Sequence, residues 1–407
     1  MLVRAQIICG MKTILRALVV VSFLCLSVQG QVLTGIEVLK RENFKPLEGR
    51  KIGIITNQTG VDNEGNRIID LLVKAPNLKV LKLFSPEHGL YGKKDEKVGD
   101  MVDEASGLKV MSLYGETRRP TAAMLSGIDT LVFDIQDVGA RYYTYTTTMG
   151  ICMEEAAKHH LHFVVLDRPN PVTGLIVDGP LADQKHLGFT AFRPIPVSHG
   201  MTVGELAKLY NEHFKVGCDL TVIEMQGWKR NMWWEDTGVK WINPSPNMRS
   251  PTEALLYLGV GIMEATNISV GRGTDTPFEV FGAPWVKSND LASALNELKL
   301  PGLKFEAHDF TPVNTVHKHN NASCGGVKII VTDREKVRPV EAGVALAWTL
   351  EKLYPKEYEY PKLVNLLQNG VAADKIKSLG DPREAGKIWA KDLAEFKKAR
   401  EKCLIYR

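Results

Sequence analysis

The sequence lacks most of the signatures that announce a cofactor or a metal. It has only 6 cysteines in 407 residues, and none of them forms a CxxC pair. Zinc-type spacing is therefore excluded, and no HExxH helix replaces it. The first strand-like run, Lys51 to Asn57, is followed by Gln58-Thr59-Gly60 rather than GxGxxG, and no Walker loop occurs. A dinucleotide or nucleotide cradle is thus not expected, and no cofactor is implied. The nearest approach to a nucleophile elbow, Asn267-Ile268-Ser269-Val270-Gly271, lacks the first glycine of GxSxG. Basic blocks are missing too: 51 Lys and Arg face 47 Asp and Glu. That balance gives no support for nucleic-acid binding. No internal repeat or low-complexity segment is visible.

Long apolar runs are confined to the amino terminus. Met11, Lys12 and Arg16 precede an apolar stretch from Ala17 to Leu26, and Val28 and Gly30 stand at small-residue positions before Gln31. This is the pattern of a cleaved secretory signal peptide over residues 1–30. The apolar stretch is too short to span a bilayer comfortably. The expectation is an exported chain, periplasmic or secreted, with no integral membrane segment after cleavage. Cleavage removes Arg4, Lys12 and Arg16 and leaves 48 basic against 47 acidic residues, a net charge of +1. It also leaves Cys152, Cys218, Cys324 and Cys403. Four scattered cysteines in such a length do not make a disulfide scaffold, and Cys152 reads as a small buried hydrophobe in a helical pattern.

What the chain does have is alternation. Apolar strand-like runs at 51–57, 79–85, 109–113, 130–135 and 162–166 are separated by helical patterns such as 67–74 and 145–159. Continuous apolar strands between helices predict an α/β fold, a doubly wound parallel sheet of Rossmann-like type. Past residue 180 the character changes. Thr202 heads a helix with Glu205 at the capping-box position, and the rest reads as α+β. The predicted organisation is a Rossmann-like domain over 31–180, a smaller α+β domain over 181–407, and an active cleft between them.

Each strand of the first half ends in polar residues: Asn57, then Glu87 and His88, then Asp134 and Asp137, then Asp167 and Arg168. In a parallel sheet these ends share one edge, where open α/β folds place their ligands. Several carboxylates could work there, Glu87 first. Glycosidic cleavage needs an acid for the leaving oxygen and a second group as base or nucleophile; Asp134, Asp137, Glu264, Asp275 and Glu279 are the candidates. Arg141, Arg168, Arg249 and Arg272 sit in loop-like clusters and suit carboxylate binding. Tyr142, Tyr143 and Tyr145, with the tryptophans from Trp228 to Trp241, could stack on sugar faces, although core packing is the ordinary role for most of them.

Six ordered motifs bring these residues together: SPEHG at 85–89, DIQDVGARYYTY at 134–145, DRPNP at 167–171, NPSPN at 243–247, EATNISVGRGTDTPFE at 264–279 and GAPW at 282–285. In them the chain resembles the NamZ-type exo-β-N-acetylmuramidases, glycoside hydrolases once grouped as a domain of unknown function. The resemblance covers nearly all of the chain beyond the leader. It implies release of terminal N-acetylmuramic acid from the non-reducing end of peptidoglycan fragments, and it implies a catalytic Glu87. For the partner carboxylate Glu264, Asp134 and Glu279 are the choices, in that order. Asn57, His88, Asp137, Arg141, Tyr143, Arg168, Asn170, Asn247, Arg272 and Glu279 are the expected substrate contacts, the arginines for the lactyl carboxylate and Asn170 or Asn247 for the acetamido group. The alternatives are a non-catalytic protein that binds cell-wall sugar, or an esterase acting on wall glycans.

Overall fold

Alternation along the strands shows why this chain makes a two-faced sheet. Ile52, Ile54, Val132 and Val164 are packed on one side with Ile36, Leu39, Ile68 and Leu72. Their neighbours Ile55, Leu131, Phe133, Phe163 and Val165 are packed on the other side with Met149, Cys152 and Leu206. Successive strand side chains point to opposite faces, so a strand apolar at every position must be covered on both. The computed structural model describes residues 31–93 and 99–407. The expected leader, 1–30, lies outside the described residues.

The large sheet has seven strands. They are β1 (Lys51–Thr56), β2 (Lys79–Ser85), β3 (Met101–Val102), β4 (Lys109–Ser112), β5 (Thr130–Asp134), β6 (His162–Leu166) and, after β7 (Asp178–Leu181) and β8 (Pro196–Ser198), β9 (Asp219–Ile223). Their spatial order is β3-β4-β2-β1-β5-β6-β9. All neighbours are parallel except the short edge strand β3. The parallel strands thus run 3-2-1-4-5-6, the Rossmann order, with its switch point between β1 and β5.

Helices α1 (Gly35–Arg41) and α2 (Ile68–Lys74) supply residues to the first face. After the short α3 (Ala122–Leu125), α4 (Tyr145–Lys158) and α5 (Val203–Lys208) cover the second. The sheet corrects the expected domain boundary. Strand β9 pairs in parallel with β6, so the Rossmann-like part continues well past residue 180. The physical reason is that parallel neighbours need a long crossover. Residues 167–218 are that crossover, and α5 lies within it, capped by Thr202 and Glu205 as the sequence predicts.

The smaller part is an antiparallel sheet, β10 (Val280–Ala283), β11 (Leu303–Ala307) and β12 (Gly325–Val331), in the order β10-β12-β11. The chain reaches it through α6 (Pro251–Val260). Helix α7 (Ser288–Glu297) packs on it, α8 (Pro339–Leu353) packs on α6 and α7, and α9 (Val364–Leu367), α10 (Gly370–Lys377) and α11 (Gly386–Glu401) follow. Helices α6 and α8 cross at Gly259 and Gly343. A Cβ on Gly259 would stand 1.9 Å from the Pro339 carbonyl, and one on Gly343 2.3 Å from the Gly259 carbonyl. Only hydrogen fits at that crossing.

The carboxyl terminus returns to the large sheet. Tyr406 donates its hydroxyl to Asp167 Oδ2 (2.6 Å), just beyond β6, and accepts from Met225 N (2.8 Å). Asp167 is fully buried and also accepts from Thr202 Oγ1 and the amides of Arg168 and Gly204. Burial pushes its carboxyl up to about 7 against these donors. The native state therefore holds this proton more tightly than the unfolded chain, where an aspartate titrates near ~3.9. The group's contribution to stability is complete below that value and is lost as pH rises through about 7. The Tyr406 hydroxyl matters most once Asp167 is ionised. Tyr406→Phe is expected to lower stability by about 1–3 kcal/mol at pH 8 and by less at pH 5, read as the difference in urea midpoint between the two pH values.

Candidate active site

The loops leaving β1, β2 and β5 meet at the carboxyl edge, astride the switch point. Thr56 Oγ1 donates to the Asp134 carbonyl (2.9 Å), which joins the ends of β1 and β5. Asn57 Oδ1 accepts from Thr59 N (2.9 Å) and Thr59 Oγ1 (2.6 Å), and Thr59 Oγ1 in turn accepts from Gln136 N (2.9 Å). The 243–247 loop closes over this edge. Its Pro244 carbonyl accepts from Tyr145 OH (2.6 Å) and from Gln58 Nε2 (3.0 Å).

Glu87 stands in the turn after β2, partly buried. His88 (φ 68°) and Gly89 (φ 74°) are both left-handed, and Gly89 N donates to Pro86 O (3.0 Å). A non-glycine residue in this conformation is uncommon, and here it helps set the tight turn that follows Glu87. Thr144 Oγ1 donates to Glu87 Oε2. Beside it, Tyr143 and Asp137 are buried; Asp137 Oδ1 has no hydrogen-bond partner, and the Tyr143 hydroxyl lies next to those of Ser245 and Tyr145. Asp137 Oδ2 accepts from Gly139 N (2.7 Å) and lies 3.2 Å from His199 Nε2. Burial raises the Tyr143 phenol strongly, and the negative charges of Asp137 and Glu87 add to that shift. Tyr143 thus lies within electrostatic reach of both Glu87 and Asp137.

Other expected site residues are committed elsewhere. Asp134 is 0% exposed, and its Oδ2 accepts from Arg168 Nη2 at 2.9 Å. Burial raises its carboxyl while Arg168 opposes the shift. The pair is an internal brace, so the expected catalytic Asp134 and substrate-binding Arg168 are corrected to structural residues. Arg141, 1% exposed, donates to Gln368 Oε1 and to the carbonyls of Pro180, Ile195, Leu366 and Leu367. Its donors are occupied in stitching α9 to the strand region of β7 and β8, and it too is corrected. Asn170 is buried, with Nδ2 on the Met201 carbonyl (3.0 Å) and Oδ1 on Val172 N (3.1 Å). A side chain at Gly139 (φ 87°) would strike it at 3.0 Å. Asn170 shapes the 167–171 loop and is not open to an acetamido group. Asn247 is buried in the 243–247 loop.

Glu264 ion-pairs with Arg272 Nε, so the first choice for the partner carboxylate is held by an arginine. Glu279 faces a different cavity, about 340 Å³ in volume, beside Trp233, Lys328 and Arg334. Burial raises its carboxyl and Lys328 opposes. It stands apart from Glu87 and is corrected on both counts, as partner carboxylate and as substrate contact. Asp275 is exposed on its loop. Trp228, Trp233 and Trp234 are buried, so that patch is mostly core.

A line of rings links Glu87 to the Arg272 loop. Tyr145 meets Tyr143 at 4.9 Å, Tyr143 meets Tyr257 at 5.9 Å, Tyr257 meets Phe278 at 4.7 Å, and Arg272 lies 5.5 Å over Phe278. At its far end Glu264, Ser269, Arg272, His317 and Lys318 line a pocket of about 40 Å³. Lys318 Nζ donates to the Glu264 carbonyl.

Two family models account for almost all of this architecture. "Exo-beta-N-acetylmuramidase NamZ, N-terminal" matches residues 52–252, and its C-terminal counterpart matches residues 255–406. The chain belongs to the NamZ exo-β-N-acetylmuramidase family. The junction of the two NamZ models, at 252–255, falls in the first turns of α6, well past β9, consistent with β9 belonging to the large sheet. A curated relative, the peptidoglycan β-N-acetylmuramidase NamZ of Bacillus subtilis, is 43% identical over 381 residues, covering 92% of each chain. Two solved structures of DUF1343 family proteins from Bacteroides fragilis share the fold. One has a TM-score of 0.85 at 36% identity, the other 0.76 at 28%, and each alignment covers 93% of this chain and 99% of the other.

Sequence reasoning did not single out four residues that the structure places beside the expected ones: Thr144, His199, His317 and Lys318. Thr144 was legible, since it lies inside the motif that carries Tyr143. Lys318 and His317 stand in an unremarked His-Lys-His run. His199 had no local signal, because it meets Asp137 only through the pairing of the Ala140 and Ser198 backbones.

Proposed function

We infer that this chain is a glycoside hydrolase that acts on peptidoglycan, removing terminal N-acetylmuramic acid from the non-reducing end of muramic-acid-terminated saccharides. The observation that carries this is Glu87, held by Thr144 at the carboxyl edge beside Asp137 and Tyr143, in a chain of the NamZ family. Glu87 acts as general acid, delivering its proton to the glycosidic oxygen as the bond to C1 breaks. A purely sugar-binding protein needs no such carboxylate, and an esterase needs a nucleophile elbow that the chain lacks.

The pocket of Arg272, His317 and Lys318 is the site for the lactyl carboxylate. Arg272 and Lys318 supply cationic donors there, and Glu264, which pairs with Arg272, shares the lining. Arg272→Ala is expected to raise KM for a 4-nitrophenyl β-N-acetylmuramide by about 10–100-fold, the value of one charged hydrogen bond. It is expected to leave kcat within about threefold, since the carboxylate is held alike in the bound substrate and the transition state. An unchanged KM would move the carboxylate site elsewhere.

Among the described residues no helix is long and apolar enough to cross a membrane. We propose a periplasmic or secreted enzyme on the strength of the leader pattern over residues 1–30.

A further inference from the structure

A glycosidase that forms a covalent sugar–enzyme intermediate needs a second carboxylate presented to C1. Here Asp134 is tied to Arg168, Glu264 to Arg272, and Glu279 faces another cavity. Asp137 remains. It is 5% exposed and held from behind, with Oδ2 on Gly139 N and beside His199 Nε2. Its other oxygen is buried and unpartnered, and an unpaired, desolvated acceptor is costly to maintain. The buried Tyr143 hydroxyl stands within its electrostatic reach, next to the hydroxyls of Ser245 and Tyr145. An acceptor and a hydroxyl donor together match a secondary amide, whose N–H needs an acceptor and whose carbonyl needs a donor.

We propose that Asp137 and Tyr143 form an acetamido-binding site, and that the substrate's own acetamido oxygen is the nucleophile of the reaction. The inference rests on the muramidase reading above. Glu87 gives its proton to the glycosidic oxygen, and the C1–oxygen bond breaks with its electron pair leaving on the aglycone. The acetamido carbonyl oxygen bonds to C1 from the opposite face, making a cyclic oxazolinium. Asp137 Oδ1 accepts the N–H and stabilises the positive charge, while the Tyr143 hydroxyl orients the carbonyl. Water then bonds to C1, the ring C1–oxygen bond returns its pair to the amide, and the Glu87 carboxylate takes the proton from water. The sugar leaves with retained configuration and Glu87 is again protonated. Holding nucleophile and electrophile in one molecule brings the usual advantage of proximity, and substrate-assisted glycosidases are a known class.

The test is a series of 4-nitrophenyl β-muramides whose N-acyl group is acetyl, monofluoroacetyl, difluoroacetyl or trifluoroacetyl, hydrolysed by the wild-type enzyme. Fluorine weakens the carbonyl oxygen as a nucleophile. The expected result is a stepwise fall in kcat/KM, about 100-fold or more from acetyl to trifluoroacetyl, with the β-anomer formed first. A change below about threefold, or an α-anomer formed first, overturns the proposal while leaving the muramidase reading intact. Failure to hydrolyse even the acetyl compound overturns both. In parallel, Asp137→Asn is expected to lower kcat by about 100-fold and to weaken a muramic-acid thiazoline, a mimic of the cyclic intermediate, far more than it weakens the product sugar. Equal weakening of both ligands counts against Asp137. The acyl series needs no variant, so a folding defect in Asp137→Asn does not rescue the idea.

Discussion

Glu87→Gln abolishes most turnover and leaves the fold intact. The expected loss in kcat on a chromogenic N-acetylmuramide is about 10²–10⁴-fold, the range for a positioned general acid. Glutamine keeps the size of glutamate, and its amide oxygen still accepts the Thr144 hydroxyl that meets Glu87 Oε2. The turn from Pro86 to Gly89 is set by backbone hydrogen bonding and by left-handed His88 and Gly89, not by the carboxylate. Only the transferable proton is lost. KM is expected to stay within about threefold, because the group acts mainly as the bond breaks. The urea midpoint of Glu87→Gln should match that of the wild type. Undiminished turnover in the variant would remove Glu87 from the mechanism.

Asp134→Asn behaves in the opposite way. It leaves the Arg168 guanidinium buried without its charge partner, and removal of one member of a buried pair costs about 3–5 kcal/mol. Arg168 reaches from the end of β6 to Asp134 at the end of β5, and its Nη2 also holds the Val61 carbonyl (3.1 Å) in the loop after β1. Three loops around the switch point depend on that one guanidinium. The variant should unfold at a clearly lower urea concentration. Where it is folded at low temperature, its kcat should fall far less than that of Glu87→Gln. A stable Asp134→Asn with activity reduced 100-fold or more would return Asp134 to the chemistry, by the size of effect expected of a general acid or base.

The contrast between these two acids shows where the sequence was informative. The parallel sheet was legible because its strands are apolar at nearly every position, and only burial on both faces requires that. The polar ends of β1, β2, β5 and β6 followed from strand direction alone, which put Asn57, Glu87, Asp137 and Arg168 on one edge before any contact was known. Strand direction does not tell which of these acids already has a partner. Asp134 lies in the strand and points to Arg168, whereas Asp137, three residues on, has left the sheet. Glu264 and Arg272 are eight residues apart, within reach of each other, so their pairing was foreseeable. Glu279, the residue before β10, lines a cavity with Trp233, Lys328 and Arg334 that does not include Glu87. Strand β9 falls in the half read as a separate α+β domain, since nothing local marks the strand that completes a long crossover. Burial of all four cysteines as free thiols agrees with their scattered spacing.

The most direct measurement is incubation of the wild-type enzyme with the disaccharide N-acetylmuramyl-β-1,4-N-acetylglucosamine, with the products separated by mass. The account predicts free N-acetylmuramic acid and N-acetylglucosamine in equal amounts. It also predicts no cleavage of the reversed disaccharide, which carries N-acetylglucosamine at its non-reducing end. An intact first disaccharide, or cleavage of the reversed one at a similar rate, would contradict it.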